Sequence, residues 1–199
     1  MVSLTMVLGG LGGLLIGLLL YTSRAGGILQ SKPLYWALNI LVNFVRPIPF
    51  IVLIAMLAPV TVQFVVTTIG RSAAIFVMCI AAAFAVARIV EQNLVAIDPG
   101  VIEAARAMGA GPWRIIRTVI IPEALGPLVL GYTFIFIAVV DMSAMAGYIG
   151  GGGLGDFAIV YGYRAYDLEV TYAAVIVIVI IVQIAQLLGN WLSRRLMRR

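Results

Sequence analysis

The chain of 199 residues is too apolar for a soluble domain, since 63% of its residues are hydrophobic and its mean hydropathy is +1.14. Such a composition is typical of membrane proteins. The net charge of +5 requires no nucleic-acid partner, because basic segments beside anionic lipid account for it. The lack of histidine and the single cysteine, Cys79, exclude an intrachain disulfide and predict no metal site.

Long apolar segments predict five transmembrane helices. A hydrocarbon core about 30 Å thick needs roughly 20 residues of helix. Four uncharged runs are long enough, and a fifth reaches that length with its polar flanks. The chain is therefore expected to be an all-α membrane protein with one transmembrane domain over residues 1–199, whose approximate spans are 2–22, 47–69, 72–90, 124–147 and 169–191.

The segment before the second span carries an amphipathic pattern and then several prolines. LYWALNILVNFV, residues 34–45, is typical of an interfacial helix, because its aromatic side chains suit the headgroup level. Pro47 and Pro49 are compatible with the first turn of the span, where a missing N–H costs little. Pro59 lies inside the span and is expected to kink or break it.

Lysine and arginine positions predict the orientation. A cytoplasmic C-terminal tail would place the N-terminus outside and three segments inside, namely residues 24–46, residues 88–122 and the tail. These segments hold eleven of the thirteen basic residues: Arg24, Lys32, Arg46, Arg88, Arg106, Arg114, Arg117, Arg194, Arg195, Arg198 and Arg199. Only Arg71 and Arg164 fall elsewhere, so the positive-inside bias predicts an N-out, C-in orientation.

The polar segment at residues 91–122 is predicted to be a cytoplasmic loop that contains a short helix. Asp98 is a suitable N-cap, Pro99 a suitable first helical residue and Gly109 a suitable C-cap, which predicts a helix from Pro99 to Met108.

A second amphipathic helix is expected over PWRIIRTVII, residues 112–121. Pro122 is expected to end it, and the fourth span is expected to begin near Ala124.

The short helix has the features of a docking element. Ala104, Ala105 and Ala107 are small enough for insertion into a groove of another protein, and Glu103 and Arg106 can pair at i and i+3. An ordinary loop would explain the charges, but not this capped, alanine-rich helix. The chain lacks the G-x-x-x-x-G-K-[ST] motif, so any ATP-driven function requires a partner that binds the nucleotide.

Asp141 is the only acidic residue between Ala124 and Gly155. An ionisable residue inside a span indicates function by default, and Asp141 in a water-filled path would attract a cationic group such as the ammonium of an amino acid. Hydration near the headgroups, or a bond to a neighbouring helix, is an equally supported alternative. Ser143 and Met145 lie nearby, and Met145 has the flexible side chain of a gate, or equally of a packing residue.

The glycine-rich segment after this span predicts a flexible or tightly bent outer loop. Its match to G-x-G-x-x-G lacks the strand and helix that a dinucleotide site requires. Asp156 and Asp167 lie in the G-x-G-D and Y-D motifs of intramembrane aspartyl proteases. The order of the two motifs is reversed and both aspartates are expected in a loop, so geometry argues against that enzyme.

The polar segment resembles the EAA loop of ABC importer permeases through Glu103-Ala104-Ala105, Gly109 and Ile121-Pro122. The likeness to the methionine-importer permeases, the small five-helix type I class, continues in RPIPF (46–50), SAMAGYIGGGGLGD (143–156) and YGY (161–163). It covers nearly the whole chain. Two departures are Arg46-Pro47 in place of the more usual Arg-Ser, and the absence of the residues that usually precede the first span.

This resemblance implies the partners and the mechanism. Two copies of the chain would form the path of an alternating-access importer in the bacterial cytoplasmic membrane, with methionine as cargo. Two cytoplasmic ABC ATPase subunits would bind ATP and Mg²⁺, and an extracytoplasmic lipoprotein would deliver the substrate. The permease itself would be a transport subunit without catalytic residues or cofactor. The ATPase-coupling residues would be Glu103, Ala104, Ala105, Arg106, Gly109 and Pro122, and the candidate path residues are Asp141, Ser143 and Met145.

Two other functions stay open beside this one. The cargo can be another small amino acid, since no residue specifies methionine. An ion-coupled secondary transporter that uses Asp141 is the alternative from a different class, although such folds commonly show internal repeats and this chain has no convincing one.

Overall fold

The computed structural model describes residues 1–197, and within that range the chain contains helices and no strand. Arg198 and Arg199 of the basic tail lie outside the described residues. The α-helices in chain order are α1 (Val2–Ser23), α2 (Lys32–Val45), α3 (Phe50–Val65), α4 (Arg71–Val95), α5 (Pro99–Ala107), α6 (Pro112–Ile115), α7 (Ile121–Met145), α8 (Leu154–Phe157) and α9 (Leu168–Met197).

Four helices of the described chain are long and apolar enough to cross a membrane. They are α1, α4, α9 and a continuous helix of 38 residues from Pro112 to Ile149 that contains α6 and α7. The helices α2 and α3 meet the same criterion only together, and they are bent by 119° at their junction. The predicted second span therefore corresponds to α3, whose 16 residues extend only about 24 Å at 1.5 Å per residue.

The prolines around α3 occupy other positions than expected. Pro47 lies in the turn between α2 and α3, and Pro49 is the N-cap of α3, so neither belongs to its first helical turn. Pro59 lies inside α3 without breaking it, since the helix continues to Val65. The sharp bend of the chain lies at residues 46–49, before α3 begins.

Helices α1 and α4 run parallel in close contact because α1 has glycine at every fourth position. A Cβ atom added at Gly13 would lie 2.5 Å from the Val86 Cβ, and one added at Gly17 would lie 2.6 Å from the Val90 Cβ. Val86 and Val90 are fully buried. Small residues at such a spacing let two backbones approach, which is the usual basis of helix packing inside membranes.

The helix that carries α6 and α7 does not end at Pro122, contrary to the prediction. A π-helical turn at Ile116–Ile120 ends two residues before the proline, and the Ile121 N–H donates to the carbonyl of Ile116. Proline lacks an N–H and clashes with the carbonyl four residues earlier. The wider π turn shifts hydrogen bonding to the fifth residue back, so the helix continues through Pro122.

Helix α4 extends beyond its predicted end at residue 90, and its last turns contain an ion pair. Arg88 donates to the Glu91 carboxylate at 2.6 Å, and Glu91 is buried. Arg88 also donates to the Asn39 side-chain oxygen of α2 at 3.3 Å. These bonds attach α2 to α4, and the carboxylate of Glu91 remains inside the fold instead of leaving the membrane with the loop.

Helices α7 and α9 run antiparallel and contact each other closely. The Ser193 hydroxyl donates to the Gly126 carbonyl at 2.8 Å in a buried position, and Gly189 lies against Thr133. On the other side of α7, the Tyr132 hydroxyl donates to the Gly10 carbonyl at 2.7 Å. These contacts place α5 at one end of the helix bundle, the α5 end, and the glycine-rich segment after α7 at the other, the glycine end.

Candidate functional site

The helix α5 is capped as its sequence predicts. The Asp98 carboxylate accepts a hydrogen bond from the Gly100 N–H at 2.8 Å, and Pro99 is the first helical residue. The helix ends at Ala107, one residue earlier than expected. Gly109 then adopts φ +77°, a left-handed conformation that glycine accepts without cost. The predicted short helix between the long apolar segments is thus confirmed.

The predicted ATPase-coupling residues on α5 comprise one buried side chain and three exposed ones. Ala105 is only 4% exposed and packs in the core together with Ile102, so it anchors the helix to the bundle. Glu103, Ala104 and Arg106 are exposed. A partner protein can therefore reach these three side chains directly, whereas Ala105 can affect docking only through the position of the helix.

The predicted pairing of Glu103 with Arg106 is wrong. Among residues 1–197 the single ion pair joins Arg88 to Glu91. An exposed pair at this spacing gains only about 0.2–0.5 kcal/mol, which is too little to hold two flexible side chains together. Both side chains instead line a cavity of about 100 Å³ between α5 and the end of α1, where the Arg24 guanidinium lies 4.4 Å from the centre of the Tyr21 ring.

Two exposed apolar side chains beside α5 were not selected from the sequence. Met108 is 81% exposed and Trp113 is 76% exposed, on either side of the turn at Gly109. Both side chains are accessible to a protein that contacts α5. The sequence could have indicated them, because they are large apolar residues in a segment predicted to be a polar cytoplasmic loop. Pro122, the last predicted coupling residue, is exposed just after the π turn.

A larger cavity of about 810 Å³ lies at the glycine end, between α1, α4, α7 and α9. Asp141 and Ser143 both line it, as expected of residues that share a path. Met145 does not line it, and packs partly buried against the core. Arg71, the first residue of α4, also lines this cavity, and the sequence singled it out only as an exception to the charge bias.

The glycine-rich segment forms a compact turn that closes one side of this cavity. The Gly70 N–H donates to the Ile149 carbonyl at 2.7 Å, which joins the start of α4 to the end of the long helix. A Cβ at Gly153 would lie 3.8 Å from the Ser143 Oγ. The expected bent connection is thus present, but the chain after it is helical from Leu154 to Tyr163 instead of forming a loop.

The two aspartates of the protease motifs lie at the starts of helices, in contact with neighbouring backbone. Asp167 precedes α9, and its carboxylate accepts a hydrogen bond from the Val170 N–H at 3.1 Å. Asp156 lies in α8, against Gly147. Within residues 1–197 no group of three or more cysteine, aspartate or glutamate side chains is placed to hold a metal ion.

The chain matches the family described as binding-protein-dependent transport system inner membrane component over residues 13–199. It is 42% identical over 199 residues to a probable D-methionine transport system permease protein of Vibrio cholerae, covering 100% of this chain and 88% of that protein. It is 40% identical over 181 residues to a methionine import system permease protein of Bacillus subtilis, covering 91% and 82%.

A solved structure with the same fold is an inward-facing conformation of the MetNI methionine ABC transporter. The match has a TM-score of 0.92 at 41% sequence identity, and it covers 98% of this chain and 92% of that chain.

Proposed function

Because the chain belongs to the family of binding-protein-dependent transport system inner membrane components, we propose that two copies of it form the membrane path of an ATP-driven methionine importer. The chain is the permease subunit of an ABC importer. The observation that supports methionine as the cargo is the 42% identity along all 199 residues to a probable D-methionine transport system permease protein. The likeness to a methionine ABC transporter at a TM-score of 0.92 supports the same cargo.

The proposed orientation places the α5 end in the cytoplasm and the glycine end outside. Most lysine and arginine residues belong to segments at the α5 end, as the positive-inside bias requires. The parallel pairing of α1 with α4 and the antiparallel pairing of α7 with α9 support N- and C-termini on opposite sides. Two ATPase subunits that bind ATP and Mg²⁺ would then dock at α5, and a substrate-binding lipoprotein would dock at the glycine end.

The proposed coupling element is α5 with its flanking turn. Glu103, Ala104 and Arg106 would contact the ATPase, next to the exposed Met108 and Trp113. Caps at both ends keep a short helix from fraying, so that a displacement by the ATPase moves the helix as a unit.

Three other predicted coupling residues would act indirectly, by holding α5 in position. Ala105 would anchor α5 on the core, Gly109 would end it, and Pro122 would hold the π turn against which α5 packs. Movement of α5 would thereby reach the long helix and shift the bundle between its two states.

The proposed translocation path includes Asp141 and Ser143 at the large cavity. Met145 does not line this cavity and packs against the core. Its assignment to the path stays a prediction, which uptake by Met145→Ala tests: an unchanged KM and rate would remove it.

Reconstitution tests this function directly. The chain, purified with its ATPase and placed in proteoliposomes, should import methionine when the binding protein and ATP are present. Glu103→Lys and Gly109→Asp should weaken ATPase binding or uncouple hydrolysis from uptake, because the first reverses a charge on the docking face and the second disrupts the C-cap. Glu169→Lys is the matched control for ATPase binding, measured without the binding protein, because this exposed carboxylate lies at the glycine end, away from α5.

Normal ATP-driven uptake by both variants would contradict the role of α5. Uptake that follows an ion gradient, by a chain that copurifies with no ATPase, would instead identify a secondary transporter.

A further inference from the structure

Two opposite charges line the large cavity without pairing. Arg71 begins α4 and Asp141 lies in the last turns of α7, and both line the cavity of about 810 Å³. Within residues 1–197 neither forms an ion pair, because the single ion pair there joins Arg88 and Glu91. The hydrogen bond of 2.7 Å from the Gly70 N–H to the Ile149 carbonyl holds the two helix ends beside each other.

The remaining cavity wall is mainly apolar. Phe136 and Val140 of α7 and Ile178 and Ile181 of α9 lie along it. A volume of about 810 Å³ is within the usual range for small-molecule sites, roughly 300–1,000 Å³, and such sites combine apolar walls with a few polar groups that orient the ligand. Arg71 and Asp141 are both exposed, so a ligand that enters the cavity can reach either charge.

Charged residues within membrane-spanning helices usually face the bundle interior or a water-filled cavity, where they mark substrate paths. A ligand that carries both charges would neutralise Arg71 and Asp141 at once. α-Amino acids have this chemistry. Their carboxylate can accept two parallel hydrogen bonds from an arginine guanidinium, and their ammonium can donate hydrogen bonds to a carboxylate.

We propose that Arg71 and Asp141 form a binding site for zwitterionic α-amino acids with apolar side chains. The guanidinium binds the carboxylate, the Asp141 carboxylate binds the ammonium, and the apolar wall contacts the side chain. The Ser143 hydroxyl, on the same cavity, offers one further hydrogen bond. This site deepens the proposed function and rests on it for its biological role, since it places a transport intermediate within the permease itself.

The test is equilibrium binding of radiolabelled methionine to the purified permease–ATPase complex, with the binding protein absent. Arg71→Gln and Asp141→Asn should each weaken binding about tenfold or more, because each removes a charged hydrogen bond. Arg164→Gln and Glu169→Gln are matched controls, an exposed arginine and an exposed carboxylate that do not line the cavity. They should bind as the unmodified chain does.

Analogues assign each charge to its partner. Methioninol lacks the carboxylate, and the 2-hydroxy acid analogue of methionine lacks the ammonium. Both should compete about tenfold less well than methionine for the unmodified complex. The penalty for losing the carboxylate should vanish in Arg71→Gln, and that for losing the ammonium should vanish in Asp141→Asn. General damage to the fold would not produce this selective loss.

The outcomes separate the site from the transport function. Equal competition by methionine and both analogues in the unmodified complex would overturn the site, and this arm needs no variant to fold. Unmodified binding by both variants would overturn it as well. Methionine uptake by proteoliposomes without measurable binding to the complex would overturn the site and leave the importer function standing. Charge-dependent binding without uptake would support the site and refute the importer.

Discussion

Replacing Gly13 by alanine should separate α1 from α4. A Cβ at this position would lie 2.5 Å from the Val86 Cβ and 2.6 Å from the Ala83 carbonyl oxygen. Carbon atoms in contact are about 3.5–4.0 Å apart, so α1 must withdraw by about 1 Å along this side. Neither obstacle is the end of a flexible chain, since one is backbone and the other is a β-branched carbon.

The cost follows from the packing that this withdrawal loses. A gap of about 0.5–1 Å forfeits a quarter to a half of the dispersion attraction of each contact, and overpacking of a tight interior typically costs about 1–3 kcal/mol. Gly12→Ala is the matched control, because its Cβ would lie 3.8 Å from the Ala83 Cβ, an ordinary contact. Both substitutions make the same backbone change, so their difference isolates packing, and we expect Gly13→Ala to be less stable by about 1–3 kcal/mol.

The assay is thermal unfolding of the two variants in the same detergent and at the same scan rate, followed by uptake in proteoliposomes. A lower midpoint for Gly13→Ala than for Gly12→Ala is the expected result. Equal midpoints would show that α1 and α4 have room between them, and would refute the close parallel contact on which the position of α1 depends.

Three further predictions concern single contacts. Gly109→Ala should strain the left-handed turn at φ +77° by about 1–2 kcal/mol and lower the uptake per ATP hydrolysed. Gly111→Ala, at φ −69°, should leave that ratio unchanged. Equal ratios of uptake to hydrolysis in the two variants would contradict this prediction. Glu91→Gln should lower the unfolding midpoint, since it removes one member of a largely buried ion pair, at a cost of about 1.5–3 kcal/mol; an unchanged midpoint would show that the pair contributes nothing. Ser193→Ala should destabilise the contact between α7 and α9 by about 1 kcal/mol, and a variant as stable as the unmodified protein would argue against that hydrogen bond.

Local features of the chain were predictable because their causes are local. Caps at Asp98 and Gly109 are properties of a few neighbouring residues, and the structure has both. The resemblance of the EAA loop to importer permeases is confirmed by the family match over residues 13–199. Asp141 and Ser143 were chosen as isolated polar residues near the end of an apolar span, and they line one cavity.

Features that depend on contacts between distant segments could not be predicted from the sequence. Arg71 is far from Asp141 in sequence, and only the packing of four helices brings both to one cavity. The glycine spacing of α1 matters because these glycines contact Val86 and Val90, on a helix that begins more than fifty residues later. The sequence predicted an interfacial helix and a separate span for α2 and α3. In the structure the two helices meet the length criterion for a span only together, with a bend of 119° between them.

The continuity of the helix at Pro122 changes how movement would pass through the chain. A break there would have isolated the α5 end from the fourth span. The helix from Pro112 to Ile149 instead has 38 residues, about 57 Å at 1.5 Å per residue, and it carries both the π turn that contacts α5 and Asp141 near its far end. A displacement of α5 would therefore reach the cavity through one helix. The hydrogen bonds of that helix depart from the α pattern at the π turn and again at the 3-10 turn Ala146–Ile149. The π turn is the one that lies between α5 and Asp141, so we expect the helix to bend there first, with Asp141 moving relative to Arg71 on α4.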